Sequence, residues 1–324
     1  EDSKAADLLV EKNPSAGFAR TANEDTLGEA APFPIHTFAV APARSDRIKE
    51  VLGEGGPFAV ADFEALQADL KDLRAEALVG HLRAILEDSE DPDLKLAVEL
   101  LGTWDFRAST DSRAACVLYP FVDRLWWRDF MVEVLDDSIL EALPLAAPTL
   151  NLFGFDEFAA PGSPWLGHRS TLVTIVQRKM KSVITDLRKA LGEPEDWSWG
   201  RLHQIRFAHT LAKHETWDHM RAGPDAVGGS ATTLAMAMHD GPGPGRGDDD
   251  AIPCRVFHGP AFRWVVDLAD PLHARFVIAS GNSGRPDSDH VIDHYSRWLG
   301  GGYFDLTLVR DEIEADAVWG FTSG

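Results

Sequence analysis

The hydrophobic pattern of this chain changes period once, near Trp197, and that change limits the folds open to it. Upstream, apolar residues recur every three or four positions. Phe63, Leu66, Leu70, Leu73, Ala77, Leu82 and Ile85 form such a series behind Asp62, a good N-cap, and predict a helix. The pattern repeats from Asp93 to Leu101 and stops at Gly102, a natural C′ residue. A third helix is expected from Asp123 to Leu143, with Trp126 and Trp127 on opposite sides and Pro144 beyond its end. A fourth is expected from about Ser170 to Leu191, with Leu172, Ile175, Val176, Val183 and Leu187 on one face and Gly192 behind it.

Downstream the pattern alternates. Ile205 and Phe207 alternate with Arg206 and Ala208, and Leu234, Met236 and Met238 with Ala235 and Ala237. Phe262, Trp264, Val266 and Leu268 alternate with Arg263, Val265 and Asp267, and Arg275 to Ala279 reads as a more buried strand. Helices first and strands second predict an α+β fold rather than alternating βαβ units. The organisation expected is a single domain built from an entry loop or strand segment over residues 1–44, a helical region over 45–195 and a strand-rich region over 196–324. Asp240 to Pro253 reads as a loop, and no solenoid period is present.

At 44% hydrophobic residues the chain can bury a substantial core. Its 52 acidic against 31 basic residues give a net charge of −21, a field that repels nucleic acid and anionic lipid. No apolar run approaches the ~18 residues that span a bilayer, so neither a nucleic-acid nor a membrane partner is expected. The opening stretch, EDSKAADLLVEKN, has no basic start and no apolar run, so it does not read as a signal peptide. Cys116 and Cys254 are too few for a disulfide framework or a four-cysteine zinc site. They form one bridge or remain two buried thiols, and either way say nothing about compartment.

The histidines invite a search for chemistry. His214 and His219 stand five apart, whereas a zinc-binding helix needs four. His290 and His294 have that spacing, with Asp287, Asp289 and Asp293 beside them. On a helix they would hold a divalent metal; otherwise Ser288 or Asp289 simply caps a polar helix start. The run from Gly241 to Gly247 lacks the Lys-Ser or Lys-Thr of a phosphate-binding loop, no Gly-x-Ser-x-Gly elbow occurs, and Gly281-Asn282-Ser283-Gly284 reads as a tight turn. Asp267, an acid on a two-faced strand, belongs either at a solvent edge or in a site. No constellation in the chain suffices for catalysis alone.

Several stretches do form a recognisable set. They begin with Asn13-Pro14-Ser15-Ala16-Gly17-Phe18 and Thr21-Ala22-Asn23, then Asp46-Arg47-Ile48, Leu66-Gln67-Ala68-Asp69 and Trp197-Ser198-Trp199-Gly200-Arg201-Leu202-His203. Val227-Gly228-Gly229 follows, ahead of Thr232-Thr233, then Gly259-Pro260-Ala261-Phe262-Arg263 with Val266-Asp267. Ser280-Gly281-Asn282-Ser283-Gly284, Ser288-Asp289-His290 with Asp293, and Trp298-Leu299-Gly300-Gly301-Gly302-Tyr303 complete it. In this order and over nearly the whole chain, they resemble the penicillin acylase family of N-terminal nucleophile hydrolases.

The resemblance implies a four-layer αββα sandwich with a helical excursion, of which this chain is the C-terminal part of a β chain. It implies a precursor that cuts itself into α and β chains, and a new N-terminal Ser, Thr or Cys that attacks an amide with its own α-amine as base. The family's oxyanion hole combines an asparagine side chain with backbone N–H groups. Glu1 is no such nucleophile and Ser3 is not terminal, so the nucleophile and the oxyanion asparagine are expected on another chain. The implied partners are therefore the α chain and the N-terminal part of the β chain, with a small N-acyl amide as substrate. No cofactor is required for the chemistry and no metal ligand is assigned in this chain; family calcium sites are expected on the missing chain, and Asp248-Asp249-Asp250 reads as a solvated loop. Periplasmic or secreted location is common in the family.

By the same resemblance, Asp267 falls near an acid that supports the catalytic centre in the cephalosporin acylase branch. Asn23 matches the first Asn of the family's TANN pattern, with Glu24 in place of the second. Both are expected in supporting catalytic roles. His203 and His290 match structural positions, and His294 stands where the family usually has Gln. Two rival readings are a binding or scaffold relative without catalysis and a metal hydrolase using His290, His294 and Asp293.

Overall fold

Asp72, a fully buried carboxylate, divides what the sequence pattern presents as one helix. The computed structural model describes residues 11–26, 42–124, 126–140, 162–208, 219–240 and 254–313. In it the series beginning at Phe63 splits into α2 (Val60–Gln67) and α3 (Leu73–Leu86), preceded by α1 (Ala43–Gly53). Asp72 is the N-cap of α3, accepting from the Arg74 and Ala75 backbone N–H groups. Its other oxygen accepts from the hydroxyls of Tyr119, Ser230 and Thr232. Asp62, expected to cap the series, instead works from inside α2, accepting from the Ala59 N–H at 2.7 Å.

The remaining helices are α4 (Pro92–Gly102), α5 (Arg113–Asp123), α6 (Trp126–Val134), α7 (Asp137–Leu140), α8 (Arg169–Leu191), α9 (Trp199–Leu202) and α10 (Tyr295–Leu299). Helix α8 follows its sequence pattern closely: Leu172, Ile175, Val176, Val183 and Leu187 are all buried, and Gly192 ends it at φ +89°. Helix α5 has no counterpart among the expectations. Every residue from Ala114 to Phe121 is buried. The helix expected from Asp123 to Leu143 is in fact the short α6 and α7, with its last residues outside those described.

Two sheets accompany the helices, so the α+β expectation agrees with a mixed architecture. Strands β1 (His203–Ala208), β2 (Arg221–Ala226), β3 (Met238–Asp240) and β4 (Cys254–His258) form one sheet in the order β2-β1-β4-β3. Within it β1 runs parallel to β4, and β3 antiparallel to β4. Strands β5 (Phe262–Val266), β6 (His273–Ile278) and β7 (Phe304–Thr307) form an antiparallel meander. The strand expected at Leu234 to Met238 is mostly turn, because the Thr233 hydroxyl bonds the Ser230 and Ala235 carbonyls and closes the chain on itself.

The chain divides into two units. The larger comprises Asp69–Arg206, Gly223–Gly259 and the segment up to Gly56; its core lies among α3, α4, α5 and α8 and includes Leu82, Leu101, Phe121, Met180 and Trp197. The smaller comprises Pro57–Ala68, Phe207–Ala222 and the chain from Pro260. There α2 packs on the meander through Arg275 Nε to Glu64 Oε1 at 2.7 Å and Gln67 Nε2 to the Trp264 carbonyl at 3.1 Å.

Strand β5 buries the face opposite its aromatic residues. Phe262 and Trp264 are 57% and 55% exposed, whereas Arg263 and Val265 are 9% and 8% exposed. The reason is local chemistry: the Arg263 guanidinium donates to the Trp298 carbonyl and lies over the Trp298 and Tyr303 rings, at 5.8 and 5.3 Å from their centroids. A buried arginine thus shares the covered face of the strand with Val265, and the aromatic residues face out.

Candidate functional site

The family-like motifs prove to be pieces that lock into one another. In the larger unit, Gly200 comes so close to its neighbours that a Cβ would sit 2.8 Å from Ala226 Cβ and 3.2 Å from the Thr110 carbonyl. That approach lets Trp199 donate from Nε1 to the Gly229 carbonyl at 3.1 Å and stack on His203 at 4.4 Å. His203 contacts the Val227 carbonyl through Nδ1 and the Ala237 carbonyl through Nε2. Burial, reinforced by the neighbouring His239, pushes its pKa down to about 3, so the ring is neutral and donates to one of the two carbonyls.

In the smaller unit, Gly281 lies against the His290 carbonyl, which a Cβ would meet at 2.1 Å. Ser283 N–H donates to that carbonyl, and His294 N–H donates to the Ser280 carbonyl. His290 and His294 do not converge. A 3₁₀ turn spans Asp289–Val291 and α10 starts only at Tyr295, so the two residues never share a helix. His290 is exposed and pairs with Asp293 at 2.7 Å, while His294 is buried against Phe304 at 4.3 Å. The metal reading of this pair fails for that reason. The His214–His219 spacing and the Gly241–Gly247 and Asp248–Asp250 runs fall wholly or partly outside the described residues.

Asp267 lies one residue beyond the end of β5, so the strand period does not reach it. It is exposed, and its Oδ1 accepts from the Ala269 N–H at 2.8 Å, an Asx turn that starts the link to β6. It also lines an open groove of about 630 Å³ with Asp270, His273, Arg275, Asp305 and Glu312.

Asn23 has the more distinctive geometry. Its φ of +73° is left-handed, a conformation Asn tolerates better than most residues. Arg44 Nη2 donates to its Oδ1 at 2.8 Å. Glu24, in the place of the family's second Asn, accepts from the Ala22 N–H at 2.6 Å and from the Ser45 hydroxyl. Arg20 Nε donates to the Ser45 carbonyl at 2.9 Å. Burial raises the Glu24 pKa, but the Ser45 hydroxyl, the backbone N–H groups and the Arg20 charge outweigh it and leave the carboxyl below its ordinary range. The loop is thereby tied as an anion-centred clasp to the first turn of α1. Because a guanidinium can only donate, Arg44 must face the amide oxygen, and the function Asn23 has left to offer is its Nδ2 donor.

The sequence reading missed two clusters of distant residues, the one around Asp72 and a grouping of Asp123, His239 and Cys254. Neither has a local signal, since each draws on parts of the chain separated by more than a hundred residues.

An interlocked α/β scaffold bearing these motifs defines a family. The chain belongs to the penicillin amidase family, which matches residues 4–315. Among its relatives is penicillin acylase 2 proenzyme of Pseudomonas sp. (strain SE83), 24% identical over 94% of this chain and 38% of that protein. Acyl-homoserine lactone acylase QuiP of Pseudomonas putida is 26% identical over 94% of this chain and 38% of its own length. The enzyme of that name from Pseudomonas aeruginosa is 21% identical, over 96% of this chain and 39% of its own length. The chain thus spans less than two fifths of the curated relatives it matches.

Proposed function

We propose that this chain forms part of an N-acyl amide hydrolase of the N-terminal nucleophile type, within the αββα sandwich of that class. The observation that carries the reading is the family match over residues 4–315, with relatives named as acylases. The reaction cleaves an acyl–nitrogen bond to give a carboxylic acid and an amine. Penicillins and acyl-homoserine lactones are the substrate classes that the names of the relatives suggest.

In this reading the nucleophile, an N-terminal Ser, Thr or Cys, lies on polypeptide outside these 324 residues. It attacks the carbonyl carbon, its proton passes through the α-amine to the departing amine, and water then releases the acyl group. Charge develops on the carbonyl oxygen during both steps. Asn23 Nδ2 is suited to meet that charge as a supporting donor beside the oxyanion asparagine expected on the other chain, because Arg44 already occupies Oδ1 and fixes the carboxamide orientation before substrate arrives. Arg44 and the Glu24–Ser45 clasp are positioning groups. Asp267 serves as an auxiliary carboxylate at the rim of its groove.

The test is to express the full-length protein, sequence the N-termini of its mature chains, and assay it against a penicillin and an acyl-homoserine lactone. A chain beginning with Ser, Thr or Cys, together with acid and amine release that is lost on its substitution, supports the reading. A processed, folded protein that hydrolyses no N-acyl amide overturns it in favour of a binding relative of the family.

A further inference from the structure

Three residues from separate elements meet beneath the first sheet. Cys254 opens β4, and its strand neighbours fix its surroundings. On one side the parallel register sets it opposite His203; on the other, the antiparallel register sets Val256 opposite His239. Cys254 and Val256 alternate onto the same buried face, so His239 is a diagonal neighbour of Cys254 on that face. Asp123, the last residue of α5, reaches the same point and accepts His239 Nε2 at 2.9 Å.

The candidate ligand atoms of Asp123, His239 and Cys254 all lie within 4.8 Å of one another, the one such grouping among the described residues. The His239 side chain is 7% exposed, and its Nδ1 is buried without a hydrogen-bond partner. His203, stacked on Trp199 and edge-on to His239, has both ring nitrogens at backbone carbonyls and so is not a competing ligand.

We propose that Asp123, His239 and Cys254 form a binding site for a divalent transition metal of the zinc type. Thiolate, imidazole and carboxylate together form a donor set that Zn²⁺ accepts and that Ca²⁺ and Mg²⁺ do not. Bond lengths of about 2.0–2.3 Å place tetrahedral ligand atoms roughly 3.3–3.8 Å apart, so the donors close by about 1 Å through side-chain rotation. The ion takes His239 Nε2 in place of its hydrogen bond to Asp123, the ring proton moving to Nδ1; Cys254 binds as thiolate and its proton leaves to solvent, so two anions and a neutral imidazole balance the charge of the ion. That neutrality suits a site with a fully buried thiol. Asp123 and His239 also line a pocket of about 70 Å³, with Asp72, Tyr119 and Thr232, which has room for a water as the fourth ligand.

The proposal does not depend on the hydrolase reading, and its test needs no substrate. The mature full-length protein is freed of metal and titrated with Co²⁺, which reports thiolate ligation by a ligand-to-metal charge-transfer band in the near ultraviolet. The expected result is that band at one equivalent, lost in Cys254→Ser and kept in Cys116→Ser, with far-ultraviolet circular dichroism unchanged. Asp123→Asn, a milder change at a partly exposed residue, is expected to weaken Co²⁺ binding by at least about tenfold. No thiolate band in the unaltered protein overturns the proposal, as does a band that survives Cys254→Ser. Unchanged Co²⁺ affinity in Asp123→Asn overturns it even if Cys254→Ser does not fold.

Discussion

Arg44 donates from Nη2 to Asn23 Oδ1 at 2.8 Å, and this contact determines what Asn23 can offer a ligand. A carboxamide has two ends of opposite hydrogen-bonding sense, and the guanidinium can take only the oxygen. Asn23→Ala in the processed full-length enzyme is therefore expected to lower kcat by about 10²–10³-fold with little change in KM. Arg44→Leu, which frees the carboxamide to rotate, is expected to cost up to about 10²-fold, with partial recovery in Arg44→Lys. Steady-state kinetics on all three variants checks this; an unchanged kcat in Asn23→Ala removes the residue from the site.

Asp267 carries both a charge and a turn, and one substitution separates them. Asn at this position keeps the acceptor for the Ala269 N–H and removes the charge. The proposed role as an auxiliary carboxylate predicts that Asp267→Asn lowers kcat/KM by about tenfold, or ~1.4 kcal/mol of transition-state stabilisation, at an unaltered melting temperature. Equal kcat/KM in the variant would confine the residue to its turn.

His273 joins the meander to the segment that follows it, with Nε2 at 2.8 Å from Glu312 and Nδ1 at 2.8 Å from Asp270. The Glu312 and Asp270 carboxylates raise its pKa above the ordinary histidine value. A raised pKa means the folded state holds the proton more tightly than the unfolded chain. The resulting stabilisation is complete below the unfolded pKa and is lost as pH rises through the folded one. An NMR titration of the His273 ring should place its midpoint above about 6.5, and Glu312→Gln should move it down. A midpoint indifferent to Glu312→Gln would show that the ion pair does not persist in solution.

Asp72 is fully buried and anchors two backbone N–H groups and three hydroxyls. Asp72→Ala leaves those donors without their common acceptor, and the expected loss is about 3–5 kcal/mol of stability. Urea unfolding of the full-length protein measures it. A loss below about 1 kcal/mol would mean that the donors find other partners.

Much of the helical architecture is readable from the chain's own pattern. Helix α8 keeps a strict apolar face because that face alone meets the core, and its glycine stop is a local requirement of backbone geometry. The family motifs are likewise visible in sequence, and the structure supplies their physical sense: a Cβ at Gly200 would collide with Ala226 and Thr110 from distant segments, and one at Gly281 with the His290 carbonyl. Of the candidate residues, Asn23 in the larger unit and Asp267 in the smaller could be singled out by position within motifs. The role of Arg44 could not, because nothing local marks it as the partner of a residue 21 positions away.

The sequence by itself determined that a helical region precedes a strand-rich one, the acidic net charge and the family, all properties of local period, composition or motif. Tertiary structure decided which face of β5 is buried, since Arg263 goes inside only because the Trp298 carbonyl and two aromatic rings receive it. It also decided that the series from Phe63 breaks at Asp72, and that Asp123, His239 and Cys254 meet. Each of these outcomes rests on partners brought from far along the chain. Periodicity records only whether a position tends to be covered; what covers it is settled by packing.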